Sequence, residues 1–593
     1  MRTGNRRPTI APDGHRRGAI ALPSLAAGAG LACSLPPWGW WWLAFPAAGL
    51  LWWRLAGLRA RARLWAGWLA GVGCYLLGLQ WAHAFTLPGA AALIAVEALF
   101  MGVACMAVPS GPPGAPTPGS SRRGDPSPTP AVPSGPPGGW LVVARALTFP
   151  AAMTLAEAAR MTWPFGGLPL GGVFLGQASG PLLGLARLGG PLALTGAVYL
   201  SGVAVASLAN LTWTAARNLG ATRRDHPTSE QEPGPAADRS DHRPRPEGAR
   251  RRAAPWIAAW TPGLVGAAAL VAVVGAAVGA DHAPDGGPPI GTVTAAAVQG
   301  GGLRGLQKGQ TDPAAVLAAQ RSATARMQAL DGGRSPQLVL WPEDVVALAT
   351  PLDGTRTERW LANLARRLHT TLMVGVTETV SPTAFRNEAV AWGPTGALVG
   401  RYEKVHRVPF GEYVPDRSFF RHLGNLSAVP LDAIPGHGDG LVHTPAAPLG
   451  VMISYEVFYA DRGRSAVLAG AQLLVVPTNT ASYATDQVPD QEIAASRVQA
   501  TEQGRDLLQA APTGLSAAIT NRGTVVARST LGAQQIVFAT LARRSGWTVY
   551  TRTGDLPELA SASVALALGW TIASRRRTAQ SSCRLDTPRD ADA

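Results

Sequence analysis

The chain is 593 residues long, a length that ordinarily makes about four soluble domains of ~150 residues, yet only 15% of it is charged while 47% is hydrophobic. That many soluble surfaces need nearer ~25% charge, and 69 Gly and 50 Pro without a three-residue period exclude a collagen-like fibre. The net charge of +15 invites nucleic acid as a partner, whereas the four Cys (Cys33, Cys74, Cys105, Cys583) form no CxxC pair and so make neither a disulfide scaffold nor a zinc or haem motif.

Taken in order, the chain opens on a basic tail, 1–17, with Arg2, Arg6, Arg7, Arg16 and Arg17. No charged side chain occurs in 18–53, 64–96, 188–216 or 253–280. A membrane-spanning helix needs ~20 mostly apolar residues. Broken at Pro36-Pro37, Pro88-Gly89 and the loops, these runs predict about eight spans near 18–35, 38–58, 64–85, 88–108, 140–160, 188–215, 255–280 and 556–574. The bundle thus covers 18–280, and 556–574 returns to it. Its Ala, Gly and Leu suit close packing in lipid.

The Arg residues sit in alternate gaps: Arg59, Arg61 and Arg63, then a dense group from Arg217 to Arg252, then Arg575-Arg576-Arg577 in the tail 575–593. By the positive-inside rule both termini and those loops are cytoplasmic. The charge is thereby explained by topology and anionic lipid, and nucleic acid is not needed as a partner. Residues 109–139, rich in Pro, Gly and Ser, and 217–253, rich in Arg, Asp, Glu and Pro, read as disordered cytoplasmic loops.

Residues 285–555 differ in kind, with ordinary globular composition. By the parity of spans this domain is extracytoplasmic and tethered at both ends. Strands are expected at 292–299, 338–341, 372–376, 450–453 and 473–476. Hairpins are expected at 389–402 and 517–528, across Gly393-Pro394-Thr395-Gly396 and Asn521-Arg522-Gly523. Asp312-Pro313 opens a helix to about 330, residues 361–368 lie on another, and 491–505 forms a long amphipathic one. The mixture predicts a layered α/β domain.

Three strings in it carry chemistry. Trp341-Pro342-Glu343 puts a carboxylate directly after a buried strand. Tyr402-Glu403-Lys404-Val405-His406-Arg407-Val408-Pro409-Phe410-Gly411-Glu412 holds one of only two lysines, Lys308 and Lys404, among 52 basic residues. A lysine kept in so Arg-biased a chain suggests a compact point donor that a planar guanidinium does not replace. Ile453-Ser454-Tyr455-Glu456 sets a hydroxyl beside a carboxylate at a strand end, which a helix N-cap would also explain.

Together the strings resemble the nitrilase superfamily, and with the spans the chain is similar to the apolipoprotein N-acyltransferase family, in an actinobacterial-like form. Glu157, Arg160 and Pro164-Phe165-Gly166-Gly167-Leu168-Pro169 resemble its membrane motif, while Pro477-Thr478-Asn479-Thr480, Arg497, Glu502 and Arg505 follow its late helix. The resemblance implies a membrane bundle carrying an αββα nitrilase-like domain with no metal and no cofactor. It also implies transfer of an acyl chain from a phospholipid to the N-terminal amine of diacylglyceryl-cysteine apolipoproteins. Carried over, Glu343 is the general base and Lys404 the oxyanion donor. Glu412 is a second carboxylate near the site, and Tyr455 and Glu456 follow the nucleophile as further substrate-site candidates.

The chain departs from the family at the nucleophile, where Ser454 stands in place of Cys; no Cys lies in 285–555. A hydroxyl is far less acidic than a thiol and needs a base to activate it. His406 is the nearest histidine, at a spacing the family uses for structure. Ala481-Ser482-Tyr483 also replaces an aromatic-rich loop. Two other readings stay open here: a protein that binds lipid or lipoprotein without turnover, and a membrane-tethered amidase.

Overall fold

The computed structural model describes residues 14–84, 86–110, 139–224, 255–302, 311–330, 336–422, 426–427, 429–483 and 487–585. Lys308, residues 1–13 of the basic tail, residues 586–593 of the segment 575–593, and the greater part of the expected loops 109–139 and 217–253 lie outside these residues.

The first half is helical. It comprises α1 (Gly14–Cys33), α2 (Ala44–Arg54), α3 (Ala60–Gly78), α4 (Leu87–Ala107), α5 (Gly139–Arg160), the single turn α6 (Val173–Gly176), α7 (Ala186–Arg224) and α8 (Pro255–His282). Small residues let these helices touch: a Cβ on Gly71 of α3 would lie 2.5 Å from the Cα of Ala98 on α4. In α7 the backbone leaves helical geometry at Gly189 and Gly190, just before Pro191, where two glycines and a proline coincide.

Helices occupy all eight expected positions, but five are long and apolar enough to cross a membrane: Leu87–Ala107, Gly139–Arg160, Leu183–Thr212, Thr261–His282 and Leu556–Arg575. Among the described residues the expected count of eight is not confirmed. The reasons are local. In α1 only Ile20–Cys33 is apolar. The 11 residues of α2 rise ~16 Å, half of a ~30 Å hydrocarbon core. Near its start α3 carries Arg63, which is buried and donates to the carbonyls of Leu58 and Met106.

The mixed domain follows in the order β1 (Gly291–Gln299), α9 (Pro313–Leu330), β2 (Leu338–Leu340), β3 (Val346–Leu348), α10 (Arg356–Leu368), β4 (Thr371–Ser381), β5 (Ala384–Trp392), β6 (Leu398–Glu403), α11 (Arg417–Phe420), β7 (Asp432–Ala433), β8 (Leu441–His443), β9 (Pro448–Val451), α12 (Ala460–Ala469), β10 (Leu473–Pro477), α13 (Val488–Gln503), β11 (Leu507–Ala510), β12 (Ala517–Ile519), β13 (Val525–Arg528), β14 (Gln535–Arg543), α14 (Val549–Thr553) and α15 (Leu556–Leu585). Asp312 opens α9 as expected, its Oδ1 accepting from the Ala314 amide at 2.9 Å.

Eight strands form one sheet, along the path β14-β1-β2-β4-β5-β6, and six form a second, β13-β12-β11-β10-β9-β8. Their facing sides bury Val293, Ala295, Leu340 and Met373 against Leu449, Val451, Leu473 and Val475. The far side of the first sheet is covered by α9 and α10, through Met327, Leu361 and Leu368. The far side of the second is covered by α12 and α13, whose apolar core runs on without a break into the bundle. The expected amphipathic helix at 491–505 is thus corrected: α13 spans Val488–Gln503 and is buried on nearly every face, because it lies between a sheet and the bundle rather than at a water surface.

Candidate active site

Four polar residues gather at one edge of the two sheets. Strands β2, β4 and β6 run the same way in the first sheet, and β9, β10 and β11 in the second. Glu343 follows β2, Lys404 follows β6, Ser454 follows β9 and Thr478 follows β10, all at carboxyl ends, where open α/β sheets leave room for ligands.

Glu343, Lys404 and Glu412 are in direct contact. The Lys404 ammonium donates to Glu343 Oε1 and to Glu412 Oε1, each at 2.9 Å, with Lys404 only 1% exposed. Asn387 on β5 joins the same two oxygens, its Nδ2 donating at 2.8 Å to Glu343 and 2.9 Å to Glu412. Glu412 Oε2 accepts from the Val408 amide at 2.8 Å, which folds the 408–412 loop back onto its own carboxylate. Burial raises the Glu343 carboxyl above its ordinary pKa, against the pull of Lys404 and with help from Glu412. Burial works against the Lys404 ammonium too, but the two carboxylates outweigh it and raise its pKa. Lys404 therefore stays charged, and Glu343 holds a proton more readily than a surface carboxyl does.

Ser454 begins a short 3-10 turn, Ser454–Phe458, and is 9% exposed. Its φ is 51°, a left-handed value that costs a non-glycine residue about 1 kcal/mol or more. Such strain persists only where surroundings over-determine it. Here Glu456 does so: Oε2 accepts from the Ile453 amide at 2.7 Å, and Oε1 from the amides of Val405 at 2.7 Å and His406 at 3.0 Å. The Tyr402 hydroxyl donates to the same carboxylate at 2.8 Å, and the Arg462 guanidinium lies 3.9 Å away. Glu456 thus pins the serine turn to the two residues after Lys404, and protein donors occupy both its oxygens.

Tyr455 faces away from that network. Its hydroxyl and that of Tyr459 each donate at 3.0 Å to the Gly167 carbonyl on the loop after α5. That loop is held from beneath by Arg160, which pairs with Glu157 at 2.7 Å and Glu97 at 3.3 Å and donates to the Leu170 carbonyl at 3.0 Å. His406 stacks on Tyr459, ring centroids 4.2 Å apart, with Nε2 3.4 Å from Asp461. The turn Ala481–Tyr483 reaches the bundle, with Tyr483 edge-on to Trp81 at 5.5 Å. Burial pushes the Tyr483 phenol up to about 12, with Glu412 adding to the rise.

Two residues of the network had no role in the sequence reading. Asn387 lies mid-strand in Arg386-Asn387-Glu388, where a polar residue on a covered face is the available signal. Glu492, in the second turn of α13, has none, since acids are common on helices. Among the described residues no cluster of three or more His, Cys, Asp or Glu is arranged to hold a metal.

The model described as the Apolipoprotein N-acyltransferase N-terminal domain matches residues 27–204, and the Carbon-nitrogen hydrolase model matches 294–546. The apolipoprotein N-acyltransferase of Mycolicibacterium smegmatis is 30% identical over 524 residues, covering 85% of this chain and 77% of that protein. The one from Azotobacter vinelandii is 28% identical over 568 residues, covering 92% and 93%. A solved carbon-nitrogen hydrolase from Helicobacter pylori is 17% identical and covers 50% of this chain and 98% of that one, with a TM-score of 0.32.

Proposed function

The chain belongs to the apolipoprotein N-acyltransferase family, and from that we propose that Ser454, Glu343 and Lys404 perform its acyl transfer through an acyl-serine. The chain is a membrane-bound N-acyltransferase whose substrates are lipid and lipoprotein. The carrying observation is a buried ammonium held between two carboxylates at the strand-end edge that also presents a strained serine.

In the first half-reaction Ser454 Oγ attacks an ester carbonyl of a phospholipid while Glu343 takes its proton. The carbonyl oxygen becomes an oxyanion that meets the Lys404 ammonium in a site shielded from water. Collapse breaks the bond to the glycerol oxygen, which leaves as lysophospholipid with the proton from Glu343. In the second, the α-amine of a diacylglyceryl-cysteine lipoprotein attacks the acyl-serine. Glu343 accepts the amine proton and returns it to Ser454 Oγ as the amide forms. Glu412 and Asn387 keep Lys404 and Glu343 in register.

The Arg distribution and tethers at both ends support an extracytoplasmic site on a multi-pass cell-membrane protein. Incubating the membrane-embedded protein with a phospholipid labelled in its acyl chains tests the chemistry. A covalent acyl adduct should map to Ser454, pass to a diacylated lipopeptide, and vanish in Ser454→Ala. Transfer without any adduct at Ser454 would overturn the serine route.

A further inference from the structure

Behind the network lies a titratable group that the transfer steps leave unused. Glu492, in the first turns of α13, is 1% exposed. Its Oε1 contacts Thr478 Oγ1 at 2.5 Å, and its Oε2 accepts from Gln509 Nε2 at 3.2 Å. Gln509 is fixed in turn by Ser496, whose hydroxyl donates to Gln509 Oε1 at 2.6 Å. No ion pair reaches Glu492 among the described residues; the charged groups that act on it are Glu343 and Lys404. Thr478 starts the segment that ends at Tyr483, itself acted on by Glu412 and Lys404.

We propose that Glu492 is a positioning residue of the acyl-transfer site, holding Thr478 and the segment after it at the pocket edge as a neutral acid and opposing the reaction once it ionises. This rests on the function proposed above. Burial pushes the carboxyl up to about 8, opposed by the Thr478 hydroxyl and aided by Glu343. Near neutral pH it therefore keeps its proton, while the Thr478 hydroxyl donates to its Oε1 at 2.5 Å. Once ionised it adds a negative charge that acts on Glu343 and Lys404 from behind Thr478. That charge destabilises an oxyanion growing in the same low-dielectric pocket.

The test is Glu492→Gln, which keeps the shape and removes the ionisation. Labelling of Ser454 by a fluorophosphonate, with Ser454→Ala as the blank, reads the nucleophile without needing either substrate. The ratio of wild-type to E492Q labelling rates should be constant up to about pH 7 and fall at least ~3-fold by pH 9. Parallel profiles overturn the proposal. Thermal unfolding gives a readout free of reactivity. An unfolded glutamate ionises near ~4.3 and the folded one near 8, so between those values the native state binds the extra proton and its stability drops as pH rises. E492Q should lose that slope, and an unchanged slope counts against the proposal. Separated profiles in a protein that transfers no acyl chain would leave Glu492 standing and sink the transfer reading. Transfer with parallel profiles would do the reverse.

Discussion

Ser454 bears two costs at one position, a left-handed backbone and a hydroxyl, which is far less acidic than a thiol. The first predicts a trade. Ser454→Gly removes the nucleophile and relieves the φ of 51°, so acyl-enzyme formation should vanish while stability holds or rises by up to ~1 kcal/mol. A clear drop in Tm would mean that the turn is not strained. The second predicts a gain. Ser454→Cys puts a more acidic atom beside an existing carboxylate and ammonium, and transfer should rise at least ~10-fold if deprotonation becomes ~1.4 kcal/mol easier. An unimproved Ser454→Cys would show a pocket retuned for the oxygen ester. Lys404→Ala should cost ~10²–10³-fold in turnover as a lost oxyanion donor, and it also leaves two buried carboxylates without their cation. Glu343, Lys404 and Glu412 were legible because each follows a strand or sits in a dense polar string. The left-handed φ was not, since nothing local in Ile453-Ser454-Tyr455 demands it; Glu456 and a distant loop impose it.

Among the elements, β4 is the one on which the base depends. Gly375 lies directly under the turn that carries Glu343, and a Cβ there would stand 2.3 Å from the Pro342 carbonyl and 2.4 Å from the Glu343 Cα. Gly375→Ala should therefore displace Glu343 and lower both stability and turnover, checked by Tm together with kcat. Unaltered kcat in a destabilised protein would show that the base tolerates movement. Strand periodicity and turn residues in 372–402 revealed β4, β5 and β6, because alternation is local. β14 was missed, since Gln535–Arg543 shows no clean alternation, and its partner β1 lies far away in sequence. The helix α13 was seen, but its environment was not: sandwiching by a sheet and a bundle is a tertiary fact that a one-dimensional pattern does not carry.

For the whole molecule, the join between domain and bundle matters as much as either part. Tyr455 and Tyr459 converge on one carbonyl of the Arg160-supported loop, and Gln491 of α13 bridges two bundle segments through the Gly171 amide and the Gly78 carbonyl, each at 3.0 Å. Replacing both tyrosines by Phe should weaken transfer to membrane-held substrate while leaving fluorophosphonate labelling of Ser454 less affected; equal loss of both would assign the tyrosines to the pocket itself. Orientation has its own check. A reporter fused near Gly440 should work only outside the cytoplasm and one near Gly234 only inside, and a shared compartment for both refutes the assigned topology. The bundle and the mixed domain were readable as separate compositions, whereas their continuous core was not.

The pairing of β1 with β14 brings the two ends of the domain together, so the domain is an insertion that interrupts the bundle just before its last helix. That helix, α15, closes against α4 and α5, with the Trp570 indole donating to the Ala107 carbonyl at 2.8 Å and Gly569 against Thr148. During synthesis its berth is left without its helical partner while every residue of the domain is made. A chain ending before Leu556 would consequently lose more than an anchor: its earlier helices would keep an unfilled seam, and the bundle would be the part that fails first.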